Sequence, residues 1–348
     1  MDGINTVIDQ WAFMIRIFKS LLVCSVFSLF SFVQAQTEQS EILPLANQSL
    51  MLDVAKINDN QLIAVGVRGH ILLSNDGENW TQQTVPTKSN LTKVYFFNEN
   101  LGWAVGHDSV ILHTRDGGKS WDVQNYQPEK QRPFFDIYFF NPSHGIAMGA
   151  YGLFYRTQDG GNSWLEEFHI ELLFEDDQNY LRDLMSEDKE FYHEEVASIL
   201  PHFNRLLATE EGLFLAGEVG MIAKSVDSGK SWQILDEIYL GSFFDISTIA
   251  PQQLLIVGLR GNIFTSHNKG EQWQPVDTNT TALLNDIVST DTQKVFVLAN
   301  SGVLLSSDNG EDFTLTTQPD GKALMAGVWF NNKLVVASEV GMKVVDVQ

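Results

Sequence analysis

From about residue 50 the chain alternates short apolar runs with turns rich in Gly, Asp, Asn and Ser. One stretch shows the pattern: Leu91 to Phe97, Gly102 to Val105, Val110 to His113 and Trp121 to Gln124. Runs this short, bounded by turn residues, predict antiparallel β-strands. A motif of an apolar pair, a small residue, two variable residues, usually Gly, and another apolar run recurs seven times. Its small residue falls at 66, 106, 149, 217, 258, 299 and 338, so the steps are 40, 43, 68, 41, 41 and 39. A period near 41 with four strands per unit predicts an all-β, seven-bladed β-propeller of four-stranded antiparallel blades, one domain over 36–348. The seventh copy, Leu324 to Phe330, Leu334 to Ala337 and Met342 to Val347, lacks a fourth strand. An open ring would leave edges, so Gln39 to Leu45 is expected to supply it.

A second motif follows in six copies. It reads Thr114-Arg-Asp116-Gly-Gly-Lys-Ser-Trp121 in one and recurs as Asp159 with Trp164, Asp227 with Trp232 and Asn268 with Trp273. The weaker copies are that of Asn268 and those that place Asn75 before Trp80 and Asp308 before Phe313. This is an Asp-box: the carboxylate or amide caps backbone N–H groups, Gly takes positive φ and the ring packs between blades. Repetition in nearly every unit makes a structural turn the better reading than a catalytic site.

The step of 68 marks an insertion, about 166–200, between blades 3 and 4. Residues 166–195 hold twelve acidic side chains against Arg182 and Lys189, a net of −10. Leu181, Leu184, Met185, Tyr192, Val196 and Ile199 form a partial helical stripe that stops before Pro201, predicting an amphipathic helix in part of it. Being a link from a fourth strand to the next blade, it opens on the same face as the second-to-third-strand hairpins. Those hairpins carry Arg68, His107, Asp108, Tyr151, Glu218, Arg260, Asn300 and Glu339. Partner contact is therefore expected through Arg68, His107, Tyr151, Glu218 and Arg260, and through Glu175, Asp176 and Asp177 of the insertion. Ordinary hairpin polarity and a solvated helix lying on the ring account for the same residues equally well.

Ahead of the repeats, Met14-Ile-Arg16-Ile-Phe-Lys19, an apolar stretch from Leu21 to Val33 and Val33-Gln34-Ala35 follow the order of a secretory signal peptide. Residues 1–35 are expected to be removed, and Met14 is a second candidate start. The apolar stretch is shorter than the roughly 20 residues that span a bilayer. The only cysteine, Cys24, lies inside it, which leaves a mature chain without disulfides in an exported compartment.

Composition narrows the chemistry further. With 22 basic and 44 acidic residues the net charge is −22, which argues against phosphate-led nucleic-acid binding. No GxxxxGK, GxSxG or HExxH occurs, and Glu175-Asp176-Asp177 lacks the alternation of an EF-hand loop. The eight histidines are dispersed and are expected at the surface. Neither a metal nor a cofactor is expected.

The combined pattern, Val-Gly-x-x-Gly-x-Ile before Thr-x-Asp-Gly-Gly-x-Ser-Trp, resembles the photosystem II stability and assembly factor family over about 45–348. The resemblance implies a non-enzymatic propeller, lumenal in phototrophs and periplasmic elsewhere, that holds protein clients such as membrane-complex subunits. Only Arg68 and Arg260 match that family's basic contact surface, and the acidic insertion departs from it. The alternative from another class is a sialidase-like glycoside hydrolase, since Asp-boxes occur there too. Such enzymes resemble six-bladed rings with a Phe-Arg-Ile-Pro motif, which is absent here.

Overall fold

The computed structural model describes residues 38–347; the expected leader, with Met14, Cys24 and Ala35, lies outside them. Six four-stranded antiparallel sheets and one of three strands follow one another along the chain. They are blade 1 (β1–β4, 51–83), blade 2 (β5–β8, 91–125), blade 3 (β9–β12, 134–166), blade 4 (β13–β16, 203–234), blade 5 (β17–β20, 243–276), blade 6 (β21–β24, 284–317) and blade 7 (β25–β27, 324–345). Each second strand is an unbroken apolar run, such as Leu62-Ile63-Ala64-Val65 or Leu254-Leu255-Ile256-Val257, and is buried on both faces. That pattern suits a strand covered by a blade on either side. Fourth strands are polar and exposed, as in Thr314–Thr317, because they form the outer wall.

The seven first strands touch in sequence around the ring, β1 also meeting β25, and so enclose the axis. In each, the pairing register slips by one residue near its start, the mark of a β-bulge. The residues just after the slip are Asp53, Lys93, Asp136, Arg205, Asp245, Asp286 and Ala326, so six charges converge on the axis. The aspartates also link blades. Asp53 accepts the Val94 N–H at 2.9 Å, and Asp136, Asp245 and Asp286 accept those of Leu206, Ile287 and Gly327 at 2.8 Å.

Ring closure corrects one expectation. Gln39 to Leu45 forms no strand, and blade 7 keeps three. The segment lies instead beside the outer edge of blade 1: the Ser40 N–H donates to the Val85 carbonyl at 2.8 Å, and the Gln82 side chain bonds both the Glu41 carbonyl and the Leu43 N–H. Its backbone and side-chain bonds thus go to blade 1, with the Ser40 hydroxyl also accepting the Val85 N–H at 3.0 Å. Blades 7 and 1 close through side chains: Leu62, Phe330 and Val335 form a buried cluster with Trp80, and Lys333 pairs with Glu78.

Candidate functional site

Six of the seven hairpins between second and third strands share one geometry. In five a single 3-10 turn places one residue in the left-handed region, Arg68 (φ 57°), Asp108 (59°), Tyr151 (52°), Arg260 (57°) and Ser301 (59°), and Val219 (55°) takes the same place in blade 4; blade 7 turns at Glu339 and Val340 without one. A glycine usually follows, also at positive φ, and for a packing reason too. At Gly261 an added Cβ would lie 2.0 Å from the Thr280 carbonyl of the link to blade 6. The first residue of every turn donates its N–H to the carbonyl just ahead of its blade's inner strand, as Glu218 does to His202 at 3.0 Å. All seven tips therefore sit on one rim. His107 and Glu218 occupy that first position, one residue before the half-buried Asp108 and the exposed Val219.

The insertion lies on this rim against blades 3 and 4. It forms helices α1 (Glu175–Glu187) and α2 (Lys189–Ile199), joined at Asp188, whose carboxylate accepts the N–H groups of Glu190 and Phe191 and caps α2. Leu181, Tyr192 and Val196 of the expected stripe are buried with blade 3 and blade 4 side chains, whereas Met185 is exposed. Leu200 packs on the Gly152 backbone, and the Gly152 N–H donates to the Pro201 carbonyl at 2.9 Å.

Its root is held by charge. Arg156, buried, meets Glu167 through two bonds of 2.7 and 2.9 Å and donates to the Ser228 and Gly229 carbonyls of blade 4. His169, also buried, has Nδ1 2.9 Å from Glu171 and Nε2 3.6 Å from Glu167. Burial pushes Glu167 up, but its bonds with His169 and Arg156 win and hold it at about 2. Burial likewise opposes the charge on His169, and the Glu167 and Glu171 carboxylates raise its pKa above the ordinary value.

Of the expected contact residues, the fold brings some together and separates others. Tyr151 stacks edge-on against His202 at 4.5 Å between ring centres, and Glu218 accepts the His202 N–H at 3.0 Å. Glu218 and Asp177 line one groove. Glu175, Asp176 and Asp177 are exposed in the first turn of α1. Arg68, His107 and Arg260 are exposed too, but on blades 1, 2 and 5.

The third-to-fourth-strand turns hold the Asp-boxes. In blade 4, Asp227 Oδ1 accepts the Lys230 and Ser231 N–H groups at 3.1 and 3.0 Å, and Oδ2 accepts the Ser231 hydroxyl at 2.7 Å. Burial works against ionisation there, but these bonds hold Asp227 down to about 2. Asp116, Asp159 and Asn268 make equivalent bonds. The rings of Trp121, Trp164, Trp232, Trp273 and Phe313 pack against the preceding blade, and Trp80 against blade 7. Blades 1 and 6 correct the sequence reading. Asp76, not Asn75, accepts the Glu78 and Asn79 N–H groups, and Asn309, not Asp308, accepts those of Glu311 and Asp312. In both, the loop is one residue shorter after the capping residue.

The axial charges were missed in the sequence. Lys93 Nζ lies 3.1 Å from Asp53, and Arg205 contacts Asp245 and Asp286. Burial raises Asp136 above its ordinary value against the pull of Arg205 and Lys93. The histidines also depart from expectation: His70, His113 and His169 are buried. Burial pushes His113 down to about 4, with Arg115 adding to the effect. Among the described residues no three metal-ligating groups cluster, and no helix is long and apolar enough to cross a membrane.

Known proteins place this architecture. The family model described as photosynthesis system II assembly factor YCF48 matches residues 33–130 and 123–273. Photosystem II stability/assembly factor HCF136 of Oryza sativa subsp. japonica is 30% identical over 89 residues, 23% of this chain and 21% of that protein. The Cyanidioschyzon merolae HCF136 is 38% identical over 53 residues, 15% of this chain and 12% of that protein. The matched segments thus span about a fifth or less of those relatives. A solved structure, YCF48 bound to D1 peptide, superposes with a TM-score of 0.64 at 19% identity, covering 90% of this chain and all of that one. The WD40 propeller of Doa1 reaches 0.61 at 12% identity over 88% of this chain and 94% of its own, a likeness of fold alone. With two thirds of its length matched and seven blades in the order the repeats require, this chain belongs to the photosynthesis system II assembly factor YCF48 family.

Proposed function

We propose that the chain is an exported, non-enzymatic scaffold that holds protein clients, subunits of a membrane complex, on the rim carrying the insertion. The observation that carries this reading is the contrast between rims. On the Asp-box rim, Asp76, Asp116, Asp159 and Asp227 are taken up by the N–H groups of their own turns. The opposite rim presents Arg68, His107, Tyr151 and Arg260 from four blades, with the acidic insertion beside them. Family membership and the D1 peptide held by a solved relative support client binding. The basic, apolar and small-residue order of residues 14–35 supports export to the periplasm, or to the lumen in a photosynthetic cell.

Deleting 170–199 is expected to leave a folded ring that no longer co-migrates with assembly intermediates of the membrane complex on native gels. Unchanged co-migration would refute the role of this rim. N-terminal sequencing of the native protein from the periplasmic fraction should begin at Gln36; a full-length cytoplasmic chain would refute export.

A further inference from the structure

A groove of about 210 Å³ opens between the insertion and blade 4. Leu172 and Phe174 line one side, and Val219, Met221 and Ile234 the other. Its carboxylates are Asp177, Glu218 and Glu237, and among the described residues no Lys or Arg lines it. The surrounding surface is apolar to an extent that a solvated rim does not need: Phe174 is 72% exposed, Leu240 69% and Val219 57%. Leu240 stands next to the blade 4 tip because the Gly220 N–H donates to the Gly241 carbonyl at 2.9 Å. Val219 is β-branched yet sits in the left-handed region, a conformation that such residues disfavour. The other tips in that conformation are Arg68, Asp108, Tyr151, Arg260 and Ser301.

From this pairing of an apolar floor with an acidic border, we infer that the groove docks an extended client segment in which Leu, Ile or Phe is flanked by Lys or Arg. The apolar side chain fills the floor and its basic neighbours reach Asp177, Glu218 and Glu237. Burial of one such side chain accounts for about ten- to a hundredfold in affinity. The carboxylates add orientation and salt-sensitive steering. The inference rests on the client-binding reading and gives it a sequence preference.

The test uses fluorescence anisotropy with the full mature chain and a labelled heptapeptide alternating Lys with Leu and Phe. The expected result is binding that weakens with added salt and drops at least about tenfold in the Phe174→Ser, Val219→Asn double variant. Asn tolerates the left-handed tip, and Phe174 is exposed, so an unchanged melting curve is expected. Asp177→Lys with Glu237→Lys should shift preference to the peptide with Glu in place of Lys. Absent binding, equal binding of the Glu peptide, or affinity indifferent to both variants would overturn the inference. So would a concentration-dependent dimer that Val219→Asn abolishes, since a second copy would then be the occupant. Should deletion of 170–199 abolish client co-migration while the groove variants change nothing, the groove fails and the broader reading stands.

Discussion

Arg205 on the inner strand of blade 4 holds its Nε 2.8 Å from Asp245 Oδ1 of blade 5, and its Nη2 3.6 Å from Asp286 Oδ1 of blade 6. One guanidinium thus ties three blades at the axis, with Asp136 also in its field. Replacing it with Met leaves buried carboxylates facing one another. Removing one partner of a buried ion pair costs about 3–5 kcal/mol. Urea unfolding of Arg205→Met should show a loss of that size; a loss below about 1 kcal/mol would mean that the axial charges do not brace the ring.

The same cluster makes stability depend on pH. Burial and the neighbouring Asp245 and Asp53 carboxylates push Asp286 up to about 7, against Arg205 and Lys93. The folded chain therefore binds this proton more tightly than the unfolded chain. Its contribution grows as pH falls from about 7 toward the ordinary carboxylate value near 4, and is lost as pH rises. Asp286→Asn cannot titrate, so the variant should gain on the wild type in urea midpoint as pH rises from about 5 to about 8. A difference that stays flat would contradict the assignment.

At the root of the insertion the signs differ. Glu167, held at about 2, contributes stability above its ordinary value of 4.5 that is lost as pH falls toward 2. His169 contributes below its ordinary 6.5 and loses that contribution as pH rises through its raised value. Attachment of α1 and α2 should be firmest between those two ordinary values. Glu167→Gln, which strips Arg156 of its carboxylate, should cost about 3 kcal/mol. It should also raise hydrogen exchange in 170–199 and flatten the acid limb of the wild-type profile. Unaltered exchange there would refute the anchor.

In the Asp-box of blade 6, Asn309→Ala removes the acceptor for two turn N–H groups and should lower stability by about 1 kcal/mol. Asp308→Ala, at an exposed side chain one residue earlier, should stay within about 0.5 kcal/mol. Thermal melts of the pair check this, and the reverse ranking would restore Asp308 to the capping place.

The ring was legible because its period is carried by residues that repeat for backbone reasons: the small residue at 66 or 106 and the aromatic at 121 or 232 recur about every 41 residues. The insertion was legible as a break in that spacing. The capping residues of blades 1 and 6 were not, because counting back from Trp80 and Phe313 assumes a fixed loop length. The physical anchor is the hydroxyl two residues before the cap, Ser74 for Asp76 and Ser307 for Asn309. The axial charges escaped for another reason. Each stands twelve or thirteen residues before the repeated small residue, as Asp53 does before Gly66, but an isolated charge in an apolar strand reads as an outward side chain until the bulge is known. The groove was hidden because Phe174 and Val219 come to line it together only through folding.

Among the described residues, blade 7 meets blade 1 with no strand shared between them. The wheel therefore has no clasp: its last joint is made of the same interlocking side chains as its other joints. A gene permuted so that the chain opened between two other blades would present the same blade-to-blade contacts in a new order. Blade order along the polypeptide is thus free to vary cyclically, while the neighbours each blade needs are fixed.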